Sequence, residues 1–262
     1  MKNPFIHIVK TTAVALAVAL PGIMTARCGT GDSDNAATVA DSLATDSISV
    51  QGAFHSGPLN DDDIREIADE LNVEPAVIKA VVAVETGATH RGLYAEGKPI
   101  INFDLAVFRR NAARRKINLN KYTRTHPVVF ARPDIRRYGS QQAAQRARFD
   151  QAASIDSTAA IESTFWGMFQ IGGFNWKLCG ASSHSEFVEL MSRSEHDQLQ
   201  LFANFVTNTG LLKYLKAKNW SGFARHYNGK GYAAKGYHTK LAAAYKKAKK
   251  QLESAATDSC RE

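Results

Sequence analysis

Along much of the chain, apolar residues recur every three or four positions, which is the spacing of amphipathic helices. In "DDDIREIADELN" (61–72), four apolar residues share one face, and Asn60 precedes three aspartates that suit a helix N-terminus. Pro75 fits the first turn of a second helix, which the pattern predicts to run to about Thr86. From Ser140 onward the same spacing predicts helices over 141–155, 158–169, 186–193, 195–206, 209–217, 220–226 and 238–253.

Two segments interrupt the helical pattern. "RGLYAEGKPIINFD" (91–104) has short apolar runs on either side of Glu96-Gly97, which predicts a small hairpin. Residues 105–140 are rich in Arg and broken by Pro and Gly, so we expect irregular chain or short helices there rather than core. The predicted fold is mainly α within the α+β class, a helical domain with a small β-hairpin.

The first 58 residues have a different character. "TTAVALAVAL" (11–20) is an apolar run that follows two lysines and ends before a proline, which is typical of an export signal and too short to span a bilayer. The residues after it are small and polar, and cannot bury enough surface to fold alone. We predict an export signal at 1–27, a flexible tether at 28–58, a folded domain at 59–253 and a C-terminal tail at 254–262.

Charge and cysteine content narrow the partners and the compartment. The chain has 33 Lys and Arg against 25 Asp and Glu, a net charge of +8, which favours anionic partners. Export makes nucleic acid an unsuitable partner and indicates a periplasmic, outer-membrane-anchored or secreted protein. Lipidation of Cys28 and cleavage after Ala26 both stay open, because Arg27 fits a lipobox poorly. Export would also permit a disulfide between Cys179 and Cys260, although two free thiols explain the pattern equally well.

One carboxylate lies on an apolar helix face. In "IKAVVAVETG" (78–87), Glu85 follows Ile78, Val81 and Val82 by seven, four and three residues, so it projects from the same side. Burial there would raise the pKa of Glu85, and a carboxyl group protonated near neutral pH can act as a general acid. A frayed helix end that turns Glu85 to solvent explains the same pattern.

Two other segments combine apolar residues with groups that could hold a sugar. "ESTFWGMFQIGGFNW" (162–176) contains one amide, Gln170, in a dense apolar run. In "FARHYNGKGYAAKGY" (223–237), a helix ends at Tyr227-Asn228 and a loop with Tyr232 follows. A core segment with a backbone-bonded glutamine, and an ordinary helix end with packed tyrosines, are the structural alternatives.

In this order the segments resemble the lysozyme-like superfamily. The chain is most similar to the N-acetylmuramidase domain of phage endolysins and bacterial cell-wall proteins. The resemblance covers about 59–248 and rests on "IKAVVAVETG", "KPIINFDLAVF", "STFWGMFQIGGFNWKLCG" and "WSGFARHYNGKGYAAKGYHTKLAAAY".

The resemblance implies a lysozyme-like fold, with the hairpin beside a cleft that cleaves the β-1,4 bond between N-acetylmuramic acid and N-acetylglucosamine. Glu85 occupies the position of the family's catalytic acid. Thr86 replaces the family's usual Ser, and Asp104-Leu105-Ala106 replaces a frequent Glu-Arg-His. Asp104 is the first candidate for a second catalytic group, as base or positioner of water. Glu162, which is also followed by Ser, is its rival.

The expected partner is the peptidoglycan glycan strand, bound by a monomer without a cofactor. Gln170, Tyr227, Asn228 and Tyr232 are the predicted substrate-binding residues. Trp166 joins them by analogy with related lysozymes, whose catalytic glutamate lies against a tryptophan. The eight histidines form no HExxH motif or close ligand pair, so no metal site is predicted.

Three other functions fit parts of the pattern. A lytic transglycosylase uses a similar single glutamate, and a module without catalysis would only bind the cell wall. Cys179 with His184 or His226 could form a thiol hydrolase. The arginine runs of 105–140 could hold the anionic wall or form a solvated basic face.

Overall fold

The computed structural model describes residues 57–86 and 91–259. The predicted export signal, nearly all of the tether, Cys28 and Cys260 lie outside these residues. The helices of the described residues are α1 (Asp61–Leu71), α2 (Pro75–Glu85), α3 (Leu105–Arg114), α4 (Pro127–Phe130), α5 (Ile135–Tyr138), α6 (Gln141–Ile155), α7 (Ser157–Glu162), α8 (His184–Arg193), α9 (Glu195–Asn208), α10 (Leu212–Lys216), α11 (Trp220–Tyr227) and α12 (Tyr237–Ser259). The strands are β1 (Leu93–Ala95), β2 (Lys98–Pro99), β3 (Ile101–Phe103), β4 (Thr164–Trp166) and β5 (Ile171–Gly172). The prediction of a mainly helical fold with a small β element is confirmed.

The first two helices form as predicted. The Asn60 side chain accepts hydrogen bonds from the backbone N–H groups of Asp62 and Asp63, and the Asp63 carboxylate accepts from the Asn60 N–H, which completes a capping box. Pro75 begins α2, and its residues Ile78 and Val81 are fully buried. Because α2 packs against both α1 and α12, it is held in place by elements from both ends of the described chain.

The β structure is larger than predicted. β1 and β2 form the expected antiparallel hairpin, with Leu93 opposite Pro99 and the turn at Glu96-Gly97. A second, antiparallel sheet has the order β3-β4-β5, and it pairs Ile101 with Trp166. This sheet joins the hairpin segment to the segment that contains Gln170.

The predicted helix over 158–169 was wrong in its second half. α7 ends at Glu162, and the chain then forms β4. The β4 residues are β-branched or aromatic, which suits a strand, and the positive φ angles of Gly167 (67°) and Gln170 (49°) turn the chain back into β5. The apolar residues here are dense because both faces of a short strand are buried, a pattern that periodicity does not separate from a buried helix.

The expectation that 105–140 contributes no core was also wrong. Phe108 of α3 and Val129 of α4 belong to the main core, and Val107 of α3 is also buried. The exposed face of α3 contains Arg109, Arg110 and Arg114 but also two alanines, so the contrast between its apolar and polar faces is weak in the sequence. The helices predicted at 186–193, 195–206, 209–217 and 220–226 are found within three residues of their expected bounds, and α6 matches its bounds fully. The helix predicted at 238–253 ends six residues later, because α12 continues to Ser259 through the predicted tail. Among the described residues, no helix is long and apolar enough to cross a membrane.

Candidate active site

Glu85 is the last residue of α2, and its side chain is half-buried. The helix continues its apolar face up to this residue, so the carboxyl group lies where water is largely excluded. Burial raises the pKa of Glu85 from its ordinary value of 4.5 to about 7, while a hydrogen bond from Asn228 acts in the opposite direction. A carboxyl group with a pKa near 7 is present in both its acid and its base form at neutral pH, which general acid catalysis requires.

Asn228 holds the Glu85 carboxyl group from across the fold. Its Nδ2 donates to Glu85 Oε1 at 3.1 Å, and its own backbone N–H donates to the carbonyl of Ala224 at the end of α11. Asn228 is buried, so this amide has little freedom to turn away. Helix α11 therefore sets the position of the side chain that forms a hydrogen bond with Glu85.

Tyr227 lies beside this contact, and its hydroxyl group is already engaged. The hydroxyl donates to the backbone carbonyl of Phe169 at 2.9 Å, and the ring stacks on Phe223 with centroids 5.2 Å apart. Burial, with the negative charge of Glu85 as the second cause, raises the pKa of Tyr227 well above its usual range. Tyr227 thus ties the turn that contains Gln170 to the helix that carries Asn228.

Two tyrosines are associated with the loop after α11: Tyr232 lies within it and Tyr237 follows it, and only Tyr232 was predicted to bind substrate. The ring of Tyr232 is half-buried and packs edge-on against His238 at 5.4 Å. Burial and the charge of Glu85 raise the pKa of Tyr237, which begins α12. Tyr237 therefore lies within electrostatic range of Glu85. The spacing "GYAAKGY" contained both tyrosines and gave no means of ranking them.

Gln170 and Trp166 occupy different environments. The Gln170 side chain spans its own turn, where Nε2 donates to the carbonyl of Gly167 at 2.8 Å, and Oε1 accepts no hydrogen bond from a described residue. Trp166 has no exposed surface, donates from Nε1 to the carbonyl of Ile161, and packs edge-on against Phe149. The structure thus leaves the Gln170 oxygen available and places Trp166 within the core, without a surface that a sugar could reach.

Asp104 is the N-cap of α3. Its Oδ1 accepts from the backbone N–H groups of Ala106 and Val107 at 2.8 and 3.0 Å. Burial of Arg148 lowers the pKa of its guanidinium group, and the negative charge of Asp104 acts in the opposite direction. No hydrogen bond or ion pair within the described residues joins Asp104 to Glu85, so the two predicted carboxylates are not brought together by direct contact.

A family model for N-acetylmuramidase matches residues 74–249, more than half of the chain. The chain belongs to the N-acetylmuramidase family. The match extends from the residue before α2 into α12, so it includes Glu85, Asn228 and Tyr237. It confirms the family predicted from the sequence, and it supports a peptidoglycan-lytic enzyme with a glycosidase-type activity.

One solved structure gives an independent comparison. The crystal structure of the endolysin of Burkholderia phage AP3 is 34% identical, with a TM-score of 0.63, and the match covers 74% of this chain and 72% of the endolysin. No curated protein matches the chain. The endolysin comparison supports the lysozyme-like fold that the sequence predicted.

In this muramidase-family chain, the geometry does not favour Glu162, the Cys179 thiol or a metal site as the catalytic centre. Glu162 pairs with His184 Nε2 at 3.0 Å. Cys179 is buried, and burial raises the pKa of its thiol to about 12, which disfavours the nucleophilic thiolate. His226 stacks on Tyr214 with centroids 4.9 Å apart. Among residues 57–86 and 91–259, no three His, Cys, Asp or Glu side chains are grouped to hold a metal ion.

Two buried side chains of α9, neither of them predicted from the sequence, support the candidate site. Glu195 Oε1 accepts from the backbone N–H of Gly92 at 2.6 Å, and Gln198 Nε2 donates to the carbonyl of Gly92. Gln198 Oε1 also accepts from the N–H of Met168 at 2.8 Å. These bonds fix the start of the hairpin segment and the Gly167 turn to one helix. No sequence signal distinguishes these two residues from polar residues on an ordinary helix.

Proposed function

We propose that this enzyme hydrolyses the β-1,4 bond between N-acetylmuramic acid and N-acetylglucosamine, with Glu85 as general acid. The observation that carries the proposal is the half-buried Glu85 carboxyl group, whose pKa is raised to about 7 and whose position is fixed by Asn228. The family match supports peptidoglycan as the substrate.

The proposed mechanism begins with the protonated form of Glu85. The carboxyl group donates its proton to the glycosidic oxygen as the bond to the muramic acid C1 breaks, and positive charge develops on the sugar ring. Glu85 becomes a carboxylate in this step, and the hydrogen bond from Asn228 stabilises that charged form. Water then adds to C1 and releases a proton to solvent, and the Glu85 carboxylate takes up a proton from solvent, which restores the acid and completes hydrolysis.

The second catalytic group in this mechanism is Asp104. Asp104 would direct the attacking water, although Oδ1 of its carboxylate is engaged at the N-terminus of α3. Gln170 Oε1 and the Tyr232 hydroxyl are the groups that we assign to hydrogen bonds with the substrate. Tyr227 and Asn228 would shape the cleft through the contacts that they make with Phe169 and Glu85.

The test compares Glu85→Gln with the matched control Glu162→Gln. Both variants remove one carboxylate from a helix end, but Glu162 pairs with His184 instead of Asn228. Lysis of purified peptidoglycan should fall by about 10²–10⁴-fold in Glu85→Gln and by less than about threefold in Glu162→Gln. If the wild type shows no lysis above that of an inactive Glu85→Gln while both sediment with peptidoglycan, the protein is a binding module and not an enzyme. Full lysis by Glu85→Gln would show that Glu85 is not the general acid.

Mass spectrometry of the products identifies the bond and the reaction. Hydrolysis should yield fragments with reducing N-acetylmuramic acid ends. Reducing N-acetylglucosamine ends would show that the other glycosidic bond is cleaved. Products that carry only 1,6-anhydro ends would show that the muramic acid 6-hydroxyl, not water, attacks C1.

We also propose that the protein is exported to the compartment that contains peptidoglycan and acts there as a monomer. The support is the sequence pattern of residues 1–27, which allows two mature forms: one with a lipid anchor on Cys28, and a soluble one produced by cleavage after Ala26. Labelling cells with radioactive palmitate distinguishes the two forms, since only the anchored one would incorporate the label. Recovery of the protein in the cytosol alone would contradict export.

A further inference from the structure

The positive charge of the chain is concentrated in one segment. Residues 105–140, here called the basic segment, contain ten basic residues and one acidic residue, Asp134, for a net charge of +9. The rest of the chain has 23 basic and 24 acidic residues, so it is close to neutral. The proposed catalytic mechanism uses none of the ten basic side chains, which are Arg109, Arg110, Arg114, Arg115, Lys116, Lys121, Arg124, Arg132, Arg136 and Arg137.

All ten of these residues are exposed. On α3, Phe108 and Ala112 face the core while Arg109, Arg110 and Arg114 lie on the opposite side. Arg115 pairs with Asp156 at 3.0 Å, and the other nine form no ion pair with any described residue. Asp134 does not neutralise the segment by an ion pair, since its carboxylate caps α5 through the Arg137 N–H. The charges are therefore available to a partner.

The residue type indicates the chemistry of the partner. Eight of the ten basic residues are Arg, which is half of the 16 arginines in the chain, whereas the exposed cations of α12 between 246 and 250 are all Lys. A guanidinium group forms paired hydrogen bonds with a carboxylate or a phosphate, and an ammonium group acts as a point charge. A merely solvated basic surface has no need for this preference. The segment fits a partner that presents many oxyanions.

We propose that the basic segment is a second interaction surface, which holds the enzyme on the carboxylate groups of peptidoglycan stem peptides. This inference rests on the proposed function, because that function makes peptidoglycan the polymer that the enzyme meets. Stem peptides repeat along each glycan strand, so several weak Arg–carboxylate contacts form together and add to the binding at the Glu85 site. The contacts weaken with salt because the side chains are exposed.

An anionic bilayer is the other surface that attracts exposed arginines. Ile135 of α5 is 52% exposed and is followed by Arg136 and Arg137, an arrangement that could also enter a lipid headgroup layer. However, Ile135 is the one large apolar side chain that is exposed among the described residues, and α5 has only four residues. A single side chain buries too little apolar area to anchor a domain, so the structure favours the polymer.

The test measures binding without cleavage, in the full chain with Glu85→Gln. In this background, R109Q/R110Q/R114Q is compared with the matched control K246Q/K247Q/K250Q, which removes three exposed charges from α12. Sedimentation with purified peptidoglycan sacculi at low salt should show about fivefold weaker binding for the arginine variant and little change for the lysine variant. The difference should disappear at about 0.5 M salt. Circular dichroism establishes that each variant is folded.

A second arm identifies the oxyanion and the class of surface. Sacculi whose carboxyl groups have been amidated should bind the Glu85→Gln chain as weakly as unmodified sacculi bind the arginine variant. Equal losses in the arginine and lysine variants, or unchanged binding to amidated sacculi, would overturn the proposal. So would an arginine effect confined to phosphatidylglycerol vesicles and shared by Ile135→Ser. Because no cleavage is measured, these outcomes are independent of whether the wild type proves to be a muramidase.

Discussion

Asn228 Nδ2 donates a hydrogen bond of 3.1 Å to Glu85 Oε1, and the two residues are 143 positions apart in the chain. One residue ends α2 and the other follows α11, so the contact depends on the packing of helices from opposite ends of the described chain. The bond favours the charged form of Glu85, whereas burial favours the neutral form, and burial is the larger effect. The acid strength of the site is thus a balance between these two opposing causes.

This balance predicts the pH dependence of the wild-type enzyme. The pKa of Glu85 is raised to about 7, so the protonated acid disappears as the pH rises above that value. With soluble peptidoglycan fragments, kcat/KM should fall about tenfold per pH unit on the alkaline side. A profile that stays flat to pH 9 would show that Glu85 is not the acid whose protonation limits the reaction.

Removal of Asn228 should shift this alkaline limb. In Asn228→Ala the bond that favours the carboxylate is lost, so the pKa of Glu85 rises and the limb moves to higher pH by about half a unit to one unit. The maximal rate should fall as well, because the carboxylate formed on proton transfer loses its donor. The readout that separates this role from a general loss of structure is the position of the limb.

Asn208→Ala is the matched control for that substitution. Asn208 also ends a helix and donates from Nδ2, but its acceptor is the backbone carbonyl of Leu178. Its removal should leave the alkaline limb where the wild type has it. A limb that moves to lower pH in Asn228→Ala would mean that the amide stabilises the neutral acid instead.

The same raised pKa predicts how stability changes with pH. The folded state binds its proton at Glu85 more tightly than the unfolded state, with pKa values of about 7 and 4.5. The wild type therefore loses stability as the pH rises from about 4.5 through 7, and Glu85→Gln removes this loss. Above pH 7 the variant should be more stable by about 2–3 kcal/mol, with little difference below pH 4.5.

Urea denaturation at a series of pH values measures this difference. The control is Glu96→Gln, which changes an exposed glutamate in the turn of the β1–β2 hairpin. That variant should follow the wild-type pH dependence. Equal stability of Glu85→Gln and wild type at pH 8 would show that the folded protein accommodates the Glu85 charge without a penalty.

Local patterns were sufficient to predict some of these features and insufficient for others. The helix of Glu85 could be predicted because α2 has a proline at its start and a continuous apolar face. Its buried carboxyl could only be suggested, since the group that holds it, Asn228, contacts it through tertiary packing. Resemblance to a family linked the two residues, where periodicity alone did not.

The buried polar side chains that hold the site together could not be identified from the sequence pattern. Glu195 and Gln198 are spaced as any polar pair on a helix, yet both are buried and hydrogen-bonded to backbone groups more than 100 residues earlier. Gln170 shows the converse. The sequence singled it out as an amide in an apolar run, and its donor group serves the turn at Gly167. Every residue has the same backbone groups, so the sequence does not show which of them a buried polar side chain will bind.

The burial of Cys179 leads to a prediction that tests the thiol hydrolase alternative. Burial raises the pKa of Cys179 to about 12, so almost no thiolate exists at neutral pH. Cys179→Ala should keep peptidoglycan lysis within about twofold of wild type and cost about 1–2 kcal/mol in stability, because a small buried group is lost. Iodoacetamide should leave the Cys179 peptide unlabelled in the native protein and label it in urea. Loss of lysis in a folded Cys179→Ala variant would support the thiol hydrolase instead.

Gly167 combines a left-handed backbone conformation with close contacts to two buried side chains. Its φ is +67°, and a Cβ at this position would lie 2.6 Å from Gln198 Oε1 and 2.9 Å from Met191 Sδ. Gly167→Ala therefore combines backbone strain of about 1–2 kcal/mol with displacement of Gln198, whose oxygen accepts from Met168. We expect a total destabilisation of about 2–4 kcal/mol in urea denaturation, and reduced activity, because the displaced Gln198 also holds Gly92.

Gly97→Ala is the matched control, since its φ is +64° and no atom lies within 4 Å of the added Cβ. The control should lose only the backbone contribution and keep its activity, and equal losses in the two variants would show that contact with Gln198 adds nothing to the requirement for glycine.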